Sequence, residues 1–440
     1  MSAQPVQWSS RAVFLMASIG SAVGLGNLWR FPFHTGQNGG SAFVLIYLAA
    51  VALVAYPILM SEFAVGRHRG LSAVGSVRQL AVDAGRSSRW SIIAYVCLFG
   101  AFTVLTTYSV VAGQVLAFSV MSFAGEFAGG ASAAAASPSL YATGTSAVLW
   151  HSLFMLVTVG VVSAGLRGGV ERVVSLLMPV FFVMLAALCV YSLVNGAAAE
   201  ALAYLFKPDF SAITPGVVMA ALGQAFFSLG VGGGLMITYG SFLAREENIG
   251  SNAAIIAGSD TLVAVVAGLM IFPVVFAFGL DPASGAGLIF EAIPVVFADM
   301  PGGAFIGGLF FFLAFIAALT TSIAILVALV TVGEEQLGLG RTTSALLFGS
   351  LAWVIGAFAV GFAGLTEWLD FLSGSVFVPL GGLLVAVFVG WVAPLSAMRQ
   401  ELHNAGQRLF QLWHVAMRYV APVAVVSILL LGLDARFDFF

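Results

Sequence analysis

Long apolar runs separated by short polar stretches dominate the chain. Each run is about 20 residues or longer, enough for an α-helix to cross a hydrocarbon core about 30 Å thick. Hydropathy and turn residues predict eleven spans, near residues 11–36, 41–66, 90–123, 144–164, 170–194, 215–240, 252–279, 303–333, 341–362, 367–394 and 411–433. No stretch between them is long enough for a separate soluble domain, so the pattern predicts a single all-α polytopic membrane domain over residues 1–440. Two spans carry a defect. The first contains Gly20-Ser21-Ala22-Val23-Gly24-Leu25-Gly26-Asn27, leading into Leu28-Trp29-Arg30-Phe31-Pro32. Three glycines in seven positions weaken a helix, and Asn and Arg are expensive at membrane depth. The sixth contains Gly223-Gln224-Ala225-Phe226-Phe227-Ser228-Leu229-Gly230-Val231-Gly232-Gly233-Gly234.

Backbone unwound inside a bilayer is tolerated only where its freed N–H and C=O groups line a protected polar cavity. Span one opens the first set of five spans and span six the next, so the two breaks occupy corresponding positions. An odd repeat length inverts topology, which lets the breaks meet at mid-membrane, a pattern that points to a transporter site. The predicted inverted repeat has halves near 11–194 and 215–394, with an extra helix at 411–433. Glycine clusters also let helices pack closely. Two clusters in matching positions, each with polar neighbours, favour the site over the packing reading.

Composition agrees. Hydrophobic residues make up 61% and charged residues 8% of the chain, with a mean hydropathy of +1.07, whereas soluble domains carry about 25% charged residues. With the N-terminus cytoplasmic, the inner loops collect Arg11, Arg67, Arg69, Arg78, Arg86, Arg89, Arg167, Arg172, Arg245, Arg341, Arg399 and Arg408. The outer segments hold only Lys207 and Arg436, so the positive-inside rule sets that orientation and puts the C-terminus outside. No cleavable signal is expected, since the first ten residues carry no Lys or Arg. The Arg-rich stretch 67–89 is expected along the cytoplasmic surface, chiefly as a topology determinant. Segment 281–302 reads as a short outer capping helix and the Ala/Gly/Ser run at 128–137 as a flexible outer loop. Cys97 and Cys189 fall in apolar spans and read as packing residues. The five histidines lack metal-ligand spacing. No catalytic dyad clusters among the spans, so an enzyme is not expected, and nothing indicates nucleic acid.

The stretch from Trp8 to Gly40, WSSRAVFLMASIGSAVGLGNLWRFPFHTGQNGG, resembles the signature of the neurotransmitter:sodium symporter family, of the bacterial leucine-transporter type. Tyr47, Glu62, Tyr108, the GQAFFSL run, Ala317, Leu319-Thr320-Thr321-Ser322 and Asp370 extend the resemblance over almost the whole chain. Eleven spans resemble a bacterial subset of that family. The resemblance implies a sodium-coupled amino-acid symporter in the bacterial inner membrane, working by alternating access. It assigns no oligomeric state.

By that resemblance, the backbone of Ala22, Gly24, Leu25 and Gly26 takes the substrate carboxylate, with help from the Tyr108 hydroxyl. Carbonyls around Phe227 and Ser228 take the ammonium. Half-helix termini suit both charges. Two sodium sites carry over: one from Ala22, Asn27, Ser228 and Asp260, the other from Gly20, Val23, Ala317, Thr320 and Thr321. Unassisted, Thr320 and Thr321 would bond back to their own helix. Asp260 stands where most chloride-dependent relatives have Asn. A carboxylate at mid-membrane costs roughly 2.5–3.5 kcal/mol unless paired, and beside sodium its fixed charge replaces a chloride ion. Chloride-independent transport is therefore expected, with Tyr47, Gln224 and Ser228 bonding the Asp260 carboxylate; a solvated Asp260 near the cytoplasmic end is the competing reading. Arg30 and Asp370 are implied as an outer gate above Phe227, and Glu62 as a support for the unwound backbone.

The family's inner gate pairs a basic residue before the Trp with an acid ending span eight. Glu335 matches the acid, but residues 1–7 offer only Gln4 and Gln7. The pocket wall is read from Ser21, Val104, Tyr108, Phe227, Gly230, Gly233, Thr321 and Ile325. Small-substrate relatives carry Ser at Gly230 and Phe at Gly233, so the wall predicts room for bulky or aromatic L-amino acids unless another residue swings in. A non-transporting amino-acid receptor, or a transporter of the same fold for another small solute, remains the alternative.

Overall fold

The computed structural model describes residues 7–127, 144–283, 290 and 293–437. In chain order its helices are α1 (Arg11–Ala22), α2 (Gly26–Gln37), α3 (Ser41–Arg69), α4 (Ala73–Asp83), α5 (Ser88–Ala124), α6 (Gly144–Ser163) and α7 (Leu166–Asn195). There follow α8 (Ala198–Phe206), α9 (Pro215–Ser228), α10 (Leu235–Ser241), α11 (Ile249–Ala277) and α12 (Ile293–Asp299). The last five are α13 (Gly303–Gln336), α14 (Arg341–Gly361), α15 (Gly364–Val392), α16 (Leu395–Glu401) and α17 (Gln407–Asp434).

Nine of these are long and apolar enough to cross a bilayer, and α1 and α2 form a tenth crossing bent by 50°. The remaining predicted span, the sixth, is divided. Its halves are 14 and 7 residues long, and neither spans alone. The glycine run explains the division, because left-handed residues at Gly230, Gly232 and Gly234 cannot continue a right-handed helix.

Burial places these helices in layers. The most apolar stretch of α13 is 89% buried, that of α17 only 22%. Leucines and valines on the outer helices, such as Leu149, Leu156 and Val183, are exposed in the protein, as a lipid-facing surface requires. Local chemistry sets the helix starts: Ser10 caps α1 by accepting from the Val13 N–H, and Thr214 caps α9 ahead of Pro215.

The Arg-rich stretch 67–89 is more than a topology determinant. It contains α4, whose Val74, Val77 and Leu80 are buried, and Arg67 binds Glu401 of α16 at 2.8 Å with both side chains buried. In segment 281–302 the helix is α12, packed against α13. The run at 128–137 lies outside the described residues. Cys97 and Cys189 are both buried free thiols.

Candidate functional site

At the first break Val23 turns extended (φ −71°, ψ 102°) while its N–H still reaches the Ile19 carbonyl. The Gly24 N–H donates to Asn27 Oδ1 at 3.0 Å and the Leu25 N–H to the Tyr108 hydroxyl at 3.1 Å. Side chains thus satisfy donors that the helix has released. The Asn27 amide then donates to Ser228 Oγ (3.0 Å), to the Asp260 carbonyl (3.0 Å) and to Asp260 Oδ1 (2.7 Å). Ser228 donates to Asp260 Oδ2 at 2.8 Å, and the Tyr47 hydroxyl reaches the same oxygen at 3.5 Å. Asp260 has no exposed surface, so it is not a solvated residue at the bundle end. Gln224, expected on the Asp260 carboxylate, donates instead to the Gly26 carbonyl at 2.9 Å. There it bridges the two broken helices, adding a second donor to a carbonyl that also accepts the Phe31 N–H.

The second break spans residues 229–234, with Gly230, Gly232 and Gly234 at φ of 62°, 87° and 73°. Gly232 is required on two counts: its φ is left-handed, and a Cβ there would run into the Val378 carbonyl and the Gly382 nitrogen. Its N–H donates to the buried Glu62 carboxylate at 2.7 Å, which gives Glu62 the supporting place the sequence suggests.

Between the breaks lies a cavity of about 60 Å³. Ser21, Ala22, Gly24, Gly26, Val104, Tyr108, Phe227, Ser228, Gly230, Gly233, Thr321 and Ile325 all line it. Leu25 does not; it faces a larger cavity of about 320 Å³ toward Arg30 and Asp370. Ala101, Leu235 and Val378 also line the smaller cavity and were missed from the sequence. Ala101 shares one face of α5 with Val104 and Tyr108, a signal that helical spacing carries; Val378 comes from α15 and has no local signal.

The second expected ion set is partly brought together. Thr321 Oγ1 donates to the Ser21 carbonyl at 3.2 Å as well as to Ala317 in its own helix. Thr320 bonds back to Ile316 and Ala317, both at 3.1 Å, as an unassisted threonine does. Gly20 lies against Thr320, whose Cβ would be 3.2 Å from an added Cβ, and Val23 is fully buried nearby in sequence.

Arg30 and Asp370 both line the larger cavity, yet among the described residues no ion pair joins them within 4.0 Å. The guanidinium lies 4.2 Å over the Phe227 ring and donates to His34 Nε2 at 3.1 Å. His34 follows Arg30 by four residues, a helical neighbour readable from spacing alone. At the opposite end of α1, the Trp8 indole donates to the Tyr239 carbonyl at 3.2 Å, and the Ser9 N–H donates to Glu171 at 3.0 Å. Arg11 meets Glu247 at 3.3 Å and Asn252 at 2.8 Å. Glu335 accepts from the Ser72 N–H at 2.6 Å and so serves the start of α4. Gln4 lies outside the described residues.

Every side chain converging on Asp260 presents oxygen or amide groups, and no group of three or more His, Cys, Asp or Glu capable of holding a metal occurs among the described residues. Such a donor set suits a hard cation better than a soft transition metal.

Comparisons with known proteins agree with this geometry. The family model described as the sodium:neurotransmitter symporter family matches residues 6–137 and 135–436. The chain is 36% identical to the sodium-dependent transporter YhdH of Bacillus subtilis, over 97% of each chain. It is 32% identical to a sodium-dependent transporter of Haemophilus influenzae, over 97% of this chain and 98% of the other. Among solved structures it is similar to MhsT in complex with L-phenylalanine, with a TM-score of 0.89 and 36% identity over 98% of this chain and 100% of that one.

Proposed function

The chain belongs to the sodium:neurotransmitter symporter family, and from that premise we propose that it is a secondary active symporter coupling sodium entry to uptake of hydrophobic, bulky or aromatic L-amino acids, without a chloride requirement. The observation that carries this reading is the buried Asn27–Ser228–Asp260–Tyr47 cluster at the meeting of two broken helices. A buried carboxylate held only by neutral partners is poorly compensated. A sodium ion entering from the cavity would supply the missing charge, with oxygens from Ala22, Asn27 and Ser228. Asn27 now presents its amide N–H groups to Asp260, so the ion replaces those hydrogen bonds and draws the amide oxygen away from the Gly24 N–H. That release frees a backbone donor for the substrate carboxylate, beside the Tyr108 hydroxyl. The first sodium and the amino acid are thereby coupled through a single side chain. Gly20, Val23, Ala317, Thr320 and Thr321 form the proposed second sodium site.

The eleven-span inverted repeat and the inward-facing Arg-rich end belong to this proposal. Each sodium crossing with the potential releases roughly 2.3 kcal/mol per 100 mV, enough with two ions to support an uptake ratio well above tenfold. Outer closure brings Arg30 from His34 toward Asp370, and inner opening releases Trp8, Ser9 and Arg11 from their partners. The inner contacts made by Trp8, Ser9 and Arg11 count against a receptor that has lost its gate. A bulky substrate is supported by the glycine-lined wall and by the phenylalanine bound to MhsT.

Tritiated-tryptophan uptake into proteoliposomes, with an inward sodium gradient against a potassium control, tests the proposal. Concentrative, sodium-dependent uptake that leucine and phenylalanine inhibit is expected. Sodium-dependent binding without accumulation would replace symport by the receptor reading.

A further inference from the structure

Gly230 and Gly233 leave the cavity wall without side chains where the substrate's own side chain would press, yet the cavity measures only about 60 Å³. An engineered apolar cavity that takes benzene measures about 150 Å³, so an aromatic ring does not enter this pocket as it stands. Leu235 stands beside both glycines. A Cβ built on Gly233 would lie 3.6 Å from Leu235 Cγ and from the Gly230 carbonyl oxygen and 3.7 Å from Ala101 Cβ, and one built on Gly230 would meet Leu235 Cδ1 at 4.0 Å. Leu235 is 5% exposed and lines the cavity. It is also the first residue of α10, directly behind Gly234 at φ 73°, so it is attached to backbone that turns at little steric cost.

We infer that Leu235 is a specificity-determining residue: its side chain plugs the gap left by the two glycines, and its displacement decides which hydrophobic amino acids are accepted. A small aliphatic substrate leaves Leu235 seated and packs against it. An aromatic substrate needs the leucine withdrawn, by a rotamer change or by a swing of the glycine run, and then occupies its place. Selectivity between the two classes therefore follows the volume at position 235. The wall that reads as open from Gly230 and Gly233 is closed by a residue further along the same segment.

This inference rests on the amino-acid symport reading, and the test separates the two. Sodium-dependent kcat/KM for tryptophan and for leucine is measured on the purified full-length protein, as wild type, Leu235→Ala and Leu235→Phe. One methylene in a hydrophobic pocket shifts selectivity by roughly 10–200-fold. Leu235→Ala is expected to raise the tryptophan-to-leucine ratio about tenfold or more, and Leu235→Phe to lower it about tenfold, with the sodium dependence of both unchanged. Should the alanine variant not fold, Leu235→Met carries the measurement: its unbranched chain yields more easily, and a few-fold rise is expected. Unchanged ratios in variants that still transport would overturn the role of Leu235 and leave symport standing. A wild type that handles neither amino acid in sodium would overturn both.

Discussion

In the first broken helix three residues, 23–25, separate the two helical halves, and side chains from elsewhere hold them: Asn27 on the Gly24 N–H and Tyr108 on the Leu25 N–H. In the second, six residues, 229–234, separate the halves, with three left-handed glycines and Glu62 on the Gly232 N–H. One break is held by specific polar partners, the other by backbone freedom. The contrast suggests a division of labour. On the proposed symport reading, the substrate carboxylate would meet the first break and the Asp260 cluster beside it, where positions must be fixed. The substrate side chain, which varies in size, would meet the second break and its attached Leu235, where the wall must yield.

The largest effect is expected at the fixed side. Asp260→Ala leaves Asn27, Ser228 and Tyr47 buried without their common acceptor, and hydrogen bonds to a charged group are worth about 1.5–3 kcal/mol each. Sodium-dependent substrate binding should fall by about 100-fold or more, read from isotherms in sodium and in choline. Gly232→Ala should act on stability instead. A left-handed alanine costs about 1–2 kcal/mol, and intrusion on Val378 and Gly382 adds about 1–3 kcal/mol, measurable as lost thermal stability in detergent. Equal damage to binding and stability from both substitutions would break the comparison.

Tyr108→Phe sharpens it. Loss of the hydroxyl that accepts from Leu25 should weaken binding about tenfold, in line with a net hydrogen-bond worth of 0.5–1.5 kcal/mol. The weakening should be equal for leucine, phenylalanine and tryptophan, since the hydroxyl faces the Leu25 backbone, where the proposed reading puts the substrate carboxylate. A change in selectivity would contradict the assignment.

The smallest effect belongs to neither break. Asp83, at the end of α4, feels slight burial that pushes its carboxyl up, but hydrogen bonds from His68, Arg69 and Gln79 outweigh it and hold the group at about 2. Unfolded Asp titrates near 3.9. Its contribution is therefore present above that value and is lost as pH falls through the folded one. Asp83→Asn should slightly lower thermal stability at neutral pH, flatten its acid dependence between about pH 4 and pH 2, and leave amino-acid selectivity untouched.

Much of this architecture was legible in the sequence. Spans of apolar residues announce themselves because lipid demands continuous hydrophobicity, and both breaks show through closely clustered glycines beside polar residues. What stayed hidden depends on tertiary contact. Val378 enters the cavity from α15, far along the chain. Leu235 looks like any other apolar residue in a membrane helix until the turn at Gly234 aims it. Gln224 bonds the Gly26 carbonyl rather than Asp260, a tertiary contact carried by no motif. His34, four residues from Arg30, was available from helical spacing but overshadowed by the expected pair with Asp370.

The most direct test of the central claim is sodium-driven tryptophan uptake in chloride and in gluconate, by wild type and by Asp260→Asn. A fixed carboxylate beside the first sodium site predicts equal wild-type uptake in both anions and an Asn variant that transports only in chloride. Wild-type uptake that collapses in gluconate would contradict it.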